Sequence, residues 1–405
     1  MRASISTGPD RSVIIGVMPD TIDGGRIDAA TAARVPAPRS PLVLDSRLLI
    51  DVGPATGAHG ERGIGRYVRG LVASIGSFPT DLADRIWATG GPGTLEEFGP
   101  RGLPAGSRRS LSMVPAWAQA RFVVGAAVAR SGAAVLHATD PQRSWTPGSV
   151  PALVTVYDLI PLHEPETLRS WRFDHRSLYR WYLRQVRSAT RVLAISETTA
   201  QDLEERIGVP RSRIDVVYPV VEARSRLARI DADEPTFLVV GAPDPHKQPE
   251  LAIQAFARFR ATTGSGRLRF VGPSDPARER TFLELADRLR VASAISFEGR
   301  IPDVDLEAAY ASASAVLSTS RIEGFGLPAV EAVLRGVPVI AVETPAARET
   351  LEGAATLVPA DADAIATAMA SPTQPEEARI EAIRERYSLG SVARSLADVY
   401  RGVLD

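Results

Sequence analysis

A repeated pattern constrains this chain most: short, nearly continuous apolar runs alternate with stretches of helical periodicity. Leu48–Val52, Arg85–Thr89, Val135–Ala138, Leu153–Tyr157, Arg191–Ile195 and Ile214–Tyr218 form one set of runs. Thr236–Gly241, Arg267–Val271, Ala294–Phe297, Ala315–Ser318, Val339–Val342 and Ala355–Val358 form a second. Strands that read as unbroken apolar runs are buried on both faces, the situation of a parallel sheet covered by its crossover helices. The polar stretch between the sets predicts a hinge over residues 222–235 joining two doubly wound α/β halves, 41–221 and 236–385. Residues 1–40 show no sustained period and read as a poorly ordered leader. A last helical stretch runs from about Pro375 to Leu404, and its end, 386–405, is expected to cross back onto the first half. Ligands of such sheets bind beyond the carboxyl ends of the strands, so the cleft between the halves is the expected site.

Composition removes several classes of function. With 47 Lys+Arg against 48 Asp+Glu, the chain has no overall field with which to grip nucleic acid. The absence of cysteine excludes disulfides, thiolate catalysis and thiolate-held metals. No run approaches the roughly 18 apolar residues of a membrane-spanning helix, so a cytoplasmic protein is expected. Three D-x-D strings, Asp231-Ala232-Asp233, Asp303-Val304-Asp305 and Asp361-Ala362-Asp363, could suggest a metal-dependent sugar transferase, but they read better as linker or helix-capping residues. No metal ion or other cofactor is expected to be required.

The most informative stretch is Ser318-Thr319-Ser320-Arg321-Ile322-Glu323-Gly324-Phe325-Gly326-Leu327-Pro328-Ala329-Val330-Glu331. It reads as a strand end, a glycine loop and a helix start, with Pro328 near the first helical position. Glycines at 324 and 326 let backbone N–H groups approach a ligand, and the open N–H groups of the helix start suit a phosphate. Glu323 and Glu331 can flank one ligand and accept hydrogen bonds from sugar hydroxyls. The plainer reading leaves Glu323 solvated and has Glu331 complement the helix dipole.

Glu323 and Glu331 around Gly-Phe-Gly-Leu-Pro, followed by Gly336-Val337-Pro338-Val339-Ile340, resemble the E-x7-E signature of the retaining glycosyltransferases of family 4. Gly63-Ile64-Gly65-Arg66-Tyr67 resembles that family's N-terminal glycine loop, Ala194-Ile195-Ser196-Glu197 its strand before a helix, and Phe297-Glu298-Gly299-Arg300-Ile301 its base-binding turn. The resemblance implies the GT-B fold: two Rossmann-like domains, an acceptor-side one over 41–221 and a nucleotide-sugar-binding one over 236–385. It implies that Glu331 holds the ribose hydroxyls and that Glu323 contacts the transferred sugar. The backbone of Gly324, Phe325, Gly326 and Leu327 would line the donor with Gly63 and Gly65, while Gly299, Arg300 and Ile301 would meet the base.

Lys247 stands out without any alignment, because it is the only lysine in a chain whose other basic residues are arginines. It lies in Pro243-Asp244-Pro245-His246-Lys247-Gln248, just after the second half's first strand, where a compact ammonium can neutralise a leaving diphosphate with help from His246 or Arg321. The alternative is a chance exposed lysine. The family commonly has an arginine near the start of this loop, where this chain has Ala242. In Tyr157-Asp158, Tyr157 stands where relatives often carry a histidine that touches the sugar, and a tyrosine is a poor base near neutral pH. Asp158 reads equally as an acceptor ligand or a turn cap. His137, Asp140 and Ser196 are acceptor-side candidates at strand ends, although a satisfied structural role is the more ordinary one for His137.

Between Arg169 and Arg191, arginines at four-residue spacing alternate with Trp171, Phe173, Tyr179, Trp181 and Tyr182. This face could meet anionic lipid at the inner side of a membrane, or be an ordinary amphipathic helix with a solvated side. The expected function is transfer of a hexose, mannose from GDP-mannose by analogy, from a nucleotide diphosphate sugar to a glycan or lipid-linked acceptor in cell-envelope polysaccharide assembly. The rival readings are a non-catalytic sugar-nucleotide-binding subunit or scaffold, and a phosphorylase or epimerase on the same frame.

Overall fold

The structure is a computed structural model that describes residues 47–56, 63–89, 95–97, 128, 131–140, 150–164, 168, 173–222, 227–230 and 232–405. The expected leader, residues 60–62 of the glycine loop, Trp171, Arg172 and Asp231 lie outside these residues. The first lobe is a sheet of β1 (Leu48–Asp51), β2 (Ile86–Thr89), β3 (Leu95–Glu97), β4 (Val135–Ala138), β5 (Ala152–Val156), β6 (Arg191–Ala194) and β7 (Ile214–Val216). Its strand order is β3-β2-β1-β4-β5-β6-β7. The second lobe contains β8 (Thr236–Val240), β9 (Arg267–Val271), β10 (Ile295–Phe297), β11 (Ala315–Ser318), β12 (Val339–Val342) and β13 (Thr356–Val358), in the order β10-β9-β8-β11-β12-β13. The expected two-lobed, doubly wound architecture is therefore the observed one.

Among the described residues all strand pairs are parallel except β2–β3, an antiparallel edge that the apolar runs did not announce. β3 reads Leu-Glu-Glu, too polar to resemble its neighbours, and follows β2 after a connection too short for a parallel crossover. The central strands β1, β4 and β5 are buried along their whole length, as burial on both faces requires.

The predicted final helix is two helices. Glu377–Arg386 ends at Tyr387, and Ser388 restarts the chain as an N-cap that accepts from the Ser391 N–H at 3.2 Å, opening Leu389–Leu404. Tyr387 is fully buried between the rings of Tyr218 and Phe325, with centroids 5.2 and 5.0 Å away. The break lets Leu389–Leu404 lie along the first lobe's helix Gly63–Ile75, burying Val392, Leu396, Tyr400 and Val403 on a single 3.6-period face. Arg85 fixes its end by donating to the Leu404 carbonyl at 3.0 Å.

This docking explains His137. Its ring is fully enclosed, with Nδ1 2.7 Å from the Tyr400 hydroxyl of the last helix and Nε2 2.9 Å from Thr155 Oγ1. It is a core polar link between sheet and helix, so its expected acceptor-side role is corrected: no acceptor can reach a side chain with no exposed surface. Burial lowers its pKa to about 3.

The lobes meet closely at the loop after β11. A Cβ on Gly324 would sit 2.1 Å from the Tyr157 carbonyl oxygen of the first lobe, so no side chain fits there. The Ser196 hydroxyl donates to the Gly324 carbonyl at 2.6 Å and accepts from the Thr199 N–H at 3.0 Å, capping the helix Glu197–Asp202. Ser196, expected on the acceptor side, is instead fully buried as a tie between lobes. Glu349, from the second lobe's helix Pro345–Leu351, accepts from the N–H groups of Glu197 and Thr198 at 2.6 and 2.8 Å and from the Tyr218 hydroxyl at 3.1 Å.

Two outcomes test this packing. His137 binds a proton in the unfolded chain below about pH 6.5 but in the native fold only near pH 3, so stability is full above 6.5 and falls by up to about 1.4 kcal/mol per pH unit below it. In urea unfolding, His137→Asn should be less stable than wild type at pH 7 yet lose stability less steeply from pH 6.5 to 4.5; parallel slopes would show that native His137 takes up the proton. Gly324→Ala should hold the lobes apart, giving a larger radius of gyration in solution scattering and costing about 1–3 kcal/mol of stability. Unchanged scattering and stability would mean the loop has slack.

Candidate functional site

In the second sheet the winding reverses between β8 and β11, the switch point beyond which sheets of this kind bind their ligands. Both informative motifs are on the loops after these two strands. After β8, the short turn Pro245–Lys247 leads through Gln248, in a left-handed conformation at φ 47°, into the helix Pro249–Thr263. After β11, the chain passes through Thr319 to Gly326 into the helix Leu327–Leu334. Two bonds stitch the loops together: Thr319 Oγ1 donates to the Lys247 carbonyl at 2.7 Å, and the Arg321 N–H donates to the His246 carbonyl at 2.9 Å.

Lys247 Nζ lies 3.2 Å from Glu323 Oε1, and the Ser320 hydroxyl donates to the same oxygen at 2.7 Å. Burial alone would push the Glu323 carboxyl up, but Lys247, Ser320 and His246 outweigh it and hold the group below the usual carboxylate range. Glu323 is thus an ionised acceptor, and Lys247 a localised cation beside it. Gly241, at φ 117°, gives the ammonium its room, since a Cβ there would lie 3.2 Å from Nζ.

The helix Leu327–Leu334 begins at Gly326, which has a left-handed conformation and no side chain with which to cap the first turn. Its N–H groups keep the polarity that suits an anion. One turn along, Glu331 Oε1 is 2.5 Å from Arg66 Nη1 of the first lobe, and Oε2 is 3.4 Å from the Tyr310 hydroxyl. Gly63 opens the helix that carries Arg66, and a Cβ on Gly63 would meet Leu327 Cδ1 at 3.8 Å, so the glycine loop faces the same helix start; Gly65 is buried in that helix. Arg321 Nη2 reaches Glu164 Oε1 of the first lobe at 2.5 Å.

Asp158 lies against Gly324 with Oδ1 accepting from the Ile160 N–H at 3.2 Å, so the turn cap and the cleft position are the same residue. Burial raises its pKa and the nearby Glu323 charge adds to this, while the Ile160 N–H opposes them. Tyr157 is placed otherwise than expected. Its hydroxyl donates to the Thr139 carbonyl at 2.6 Å and its ring stands edge-on to Tyr67 at 5.3 Å. Burial drives its pKa well above that of a free tyrosine. Its hydroxyl is spent on structure, which corrects the expectation that Tyr157 stands in for a sugar-touching, catalytic residue.

Asp140 is buried beside this network. Phe325 contributes backbone to the loop, while its ring is buried against Tyr218 and Tyr387. Gly299 turns at φ 64°, its carbonyl accepting from the Gly272 N–H at 2.8 Å, with Arg300 exposed and Ile301 half-buried behind it. Farther off, the helix Phe173–Ser188 buries Tyr179, Tyr182 and Val186 in the core and exposes Arg180 and Arg184.

Motif reading singled out the glycines of Gly63–Tyr67 and passed over Arg66, the charge that reaches the site. It also missed Ser320, Tyr310, Glu164 and Glu349. Ser320 lies within the quoted stretch and could have been weighed as a partner of Glu323; the others are distant in sequence from what they meet, Tyr310 within the second lobe and Glu164 and Glu349 across the two. A separate cavity of about 340 Å³, bordered by Glu197, Thr198, Arg211 and Glu349, marks the Glu349 junction rather than the donor loop.

Comparison with known proteins matches each lobe to a family. Residues 63–224 match "Glycosyltransferase Family 4", and residues 222–386 match "Glycosyl transferases group 1". Among curated proteins, the chain is 29% identical over 215 residues to the O-antigen chain mannosyltransferase RfbU of Salmonella typhimurium, covering 51% of this chain and 56% of that one. It is 33% identical over 176 residues to a D-inositol 3-phosphate glycosyltransferase of Gordonia bronchialis, covering 39% and 38%. The matched regions thus span about half or less of these relatives. Among solved structures, sucrose-phosphate synthase from Thermosynechococcus elongatus superposes with a TM-score of 0.66 at 20% identity over 88% of this chain and 99% of that one, a likeness of fold. Between them the two family matches run from residue 63 to residue 386, one on each lobe, and the two-lobed chain has the GT-B fold.

Proposed function

We propose that this chain is a retaining glycosyltransferase that moves a hexose from a nucleotide diphosphate sugar to a hydroxyl of a glycan or lipid-linked acceptor. One observation carries the reading: the Lys247–Glu323 pair and the uncapped start of Leu327–Leu334 lie on the loops at the switch point between β8 and β11, with Glu331 one turn farther on. A diphosphate placed there meets an ammonium and a helix N-terminus. The sugar meets the ionised Glu323 and the ribose meets Glu331. In this reaction the bond from the anomeric carbon to the diphosphate breaks, the acceptor oxygen bonds to that carbon from the same face, and the departing phosphate takes the acceptor proton. No enzymic nucleophile or base is needed, consistent with Tyr157 being committed elsewhere. Lys247 and the helix start stabilise the charge that grows on the leaving group.

Mannose is the proposed sugar and GDP the proposed carrier, supported by the resemblance to the O-antigen mannosyltransferase and leading to a role in surface polysaccharide assembly. Among the described residues no helix is long and apolar enough to cross a membrane. Any approach to a lipid-linked acceptor would use a surface such as that of Arg180 and Arg184.

The test is a thermal-shift panel of GDP, UDP, ADP and dTDP with their sugar conjugates, with and without Mg²⁺, because a ligand that binds only the native state raises its melting temperature. One nucleotide, GDP on this reading, should stabilise the chain regardless of Mg²⁺, and Glu331→Ala should abolish the shift. With that donor, Lys247→Ala should lower kcat by about 10²-fold or more while the protein still melts cooperatively. Turnover within a few-fold of wild type would remove Lys247 from the chemistry. Nucleotide binding with no transfer in wild type or Glu323→Ala, whatever the acceptor, would favour a non-catalytic binding subunit.

A further inference from the structure

Glu331 is held on a rigid platform. The Tyr310 hydroxyl lies 3.4 Å from Oε2, the Tyr310 ring is fully buried, and the Arg335 guanidinium stacks over that ring at 4.7 Å while pairing with Glu307. The other carboxylate oxygen is taken by Arg66, whose side chain is 44% exposed against 13% for Glu331. The pair therefore joins a mostly buried acceptor to a half-exposed donor on the opposite lobe. Two vicinal hydroxyls approaching Glu331 find Oε1 already paired with Arg66 and Oε2 turned to Tyr310, so the guanidinium competes with a ribose for the carboxylate. Leu327, where the uncapped N–H groups begin, is four residues before Glu331, about 6 Å along the helix axis. A diphosphate at that helix start would thus lie within the sweep of an arginine anchored one turn away.

Resting on the donor reading above, we propose that Arg66 is a donor-positioning residue that exchanges partners: it neutralises Glu331 until a nucleotide arrives, then cedes the carboxylate to the ribose hydroxyls and moves to the diphosphate. The exchange gives a nucleoside and its diphosphate opposite dependence on one side chain. A nucleoside must displace Arg66 and receives nothing in return, whereas a diphosphate offers the displaced guanidinium two anionic groups with the forked geometry it favours. It also ties nucleotide binding to lobe position, since Arg66 and Glu331 stand on different lobes.

The experiment is calorimetric titration of the full chain, as wild type, Arg66→Met and Arg66→Gln, with guanosine, uridine, adenosine and thymidine and with their diphosphates, at low and high salt. For the diphosphate that binds wild type, both variants should bind about 10-fold or more weakly. For the matching nucleoside, both should bind about 3- to 5-fold more tightly, the scale of an exposed ion pair that no longer competes. Added salt should strengthen nucleoside binding to wild type by screening the Arg66–Glu331 pair, and leave the variants unaffected. A merely structural arginine would weaken both ligands together. Nucleoside affinity that is unchanged or lower in both variants overturns the exchange while leaving the donor reading intact. Failure of every diphosphate to bind wild type overturns the donor reading and the exchange with it.

Discussion

The fit of Gly324 against the Tyr157 carbonyl is the contact on which the site depends. Each lobe has a buried cluster of its own, and a larger one runs through both, from Leu48 and Leu193 to Leu238 and Val316. The chemistry needs both, because Glu331 and Lys247 stand on one lobe while Arg66, Glu164 and Asp158 stand on the other. A glycine backbone lying directly on the end of β5, tied there by the buried Ser196 hydroxyl, brings the lobes to hydrogen-bonding range. Any side chain at 324 would hold that joint open and leave two half-sites.

Around the joint, each important acidic group is given a cation or a donor. Glu323 has Lys247 and Ser320, Glu331 has Arg66, Glu164 has Arg321, and Glu349 has two backbone N–H groups and a tyrosine. Three of these four arrangements cross between lobes. Partly buried carboxylates without such partners would take up protons or open the cleft to water. The same partners satisfy these carboxylates and bridge the lobes, so the electrostatics of the site and the lobe spacing form one system. The aromatic group of Tyr218, Phe325 and Tyr387 extends it to the chain reversal that sends the last helix home.

The sheets and the strand-loop-helix unit after β11 were legible in the sequence because each is written locally. Apolar runs buried on both faces leave an unmistakable composition, and Glu323 to Glu331 is a contiguous strand-loop-helix unit whose glycines and proline have positional meaning. What escaped is what depends on distance. Tyr157, His137 and Ser196 sit at strand ends, where sequence alone suggests a site, yet their polar atoms are consumed by Thr139, Tyr400 and Gly324 across the fold. Arg66 was hidden by the opposite error, an unremarkable arginine among many that gains its meaning from a carboxylate 265 residues away. The edge strand β3 and the helix break at Tyr387 were missed because one is too polar and the other too apolar for their roles to be read from periodicity.

The solitary lysine has a practical corollary. Lys247 is the only lysine and so the only side-chain amine in the chain, and it is paired with Glu323 at the switch point. Reagents that acylate or reductively alkylate lysine therefore have one side-chain address here, and a molecule seated over Glu323 and Lys247 shields it. Intact-mass spectrometry of such a reaction reads occupancy directly, turning a compositional accident into a built-in footprinting probe.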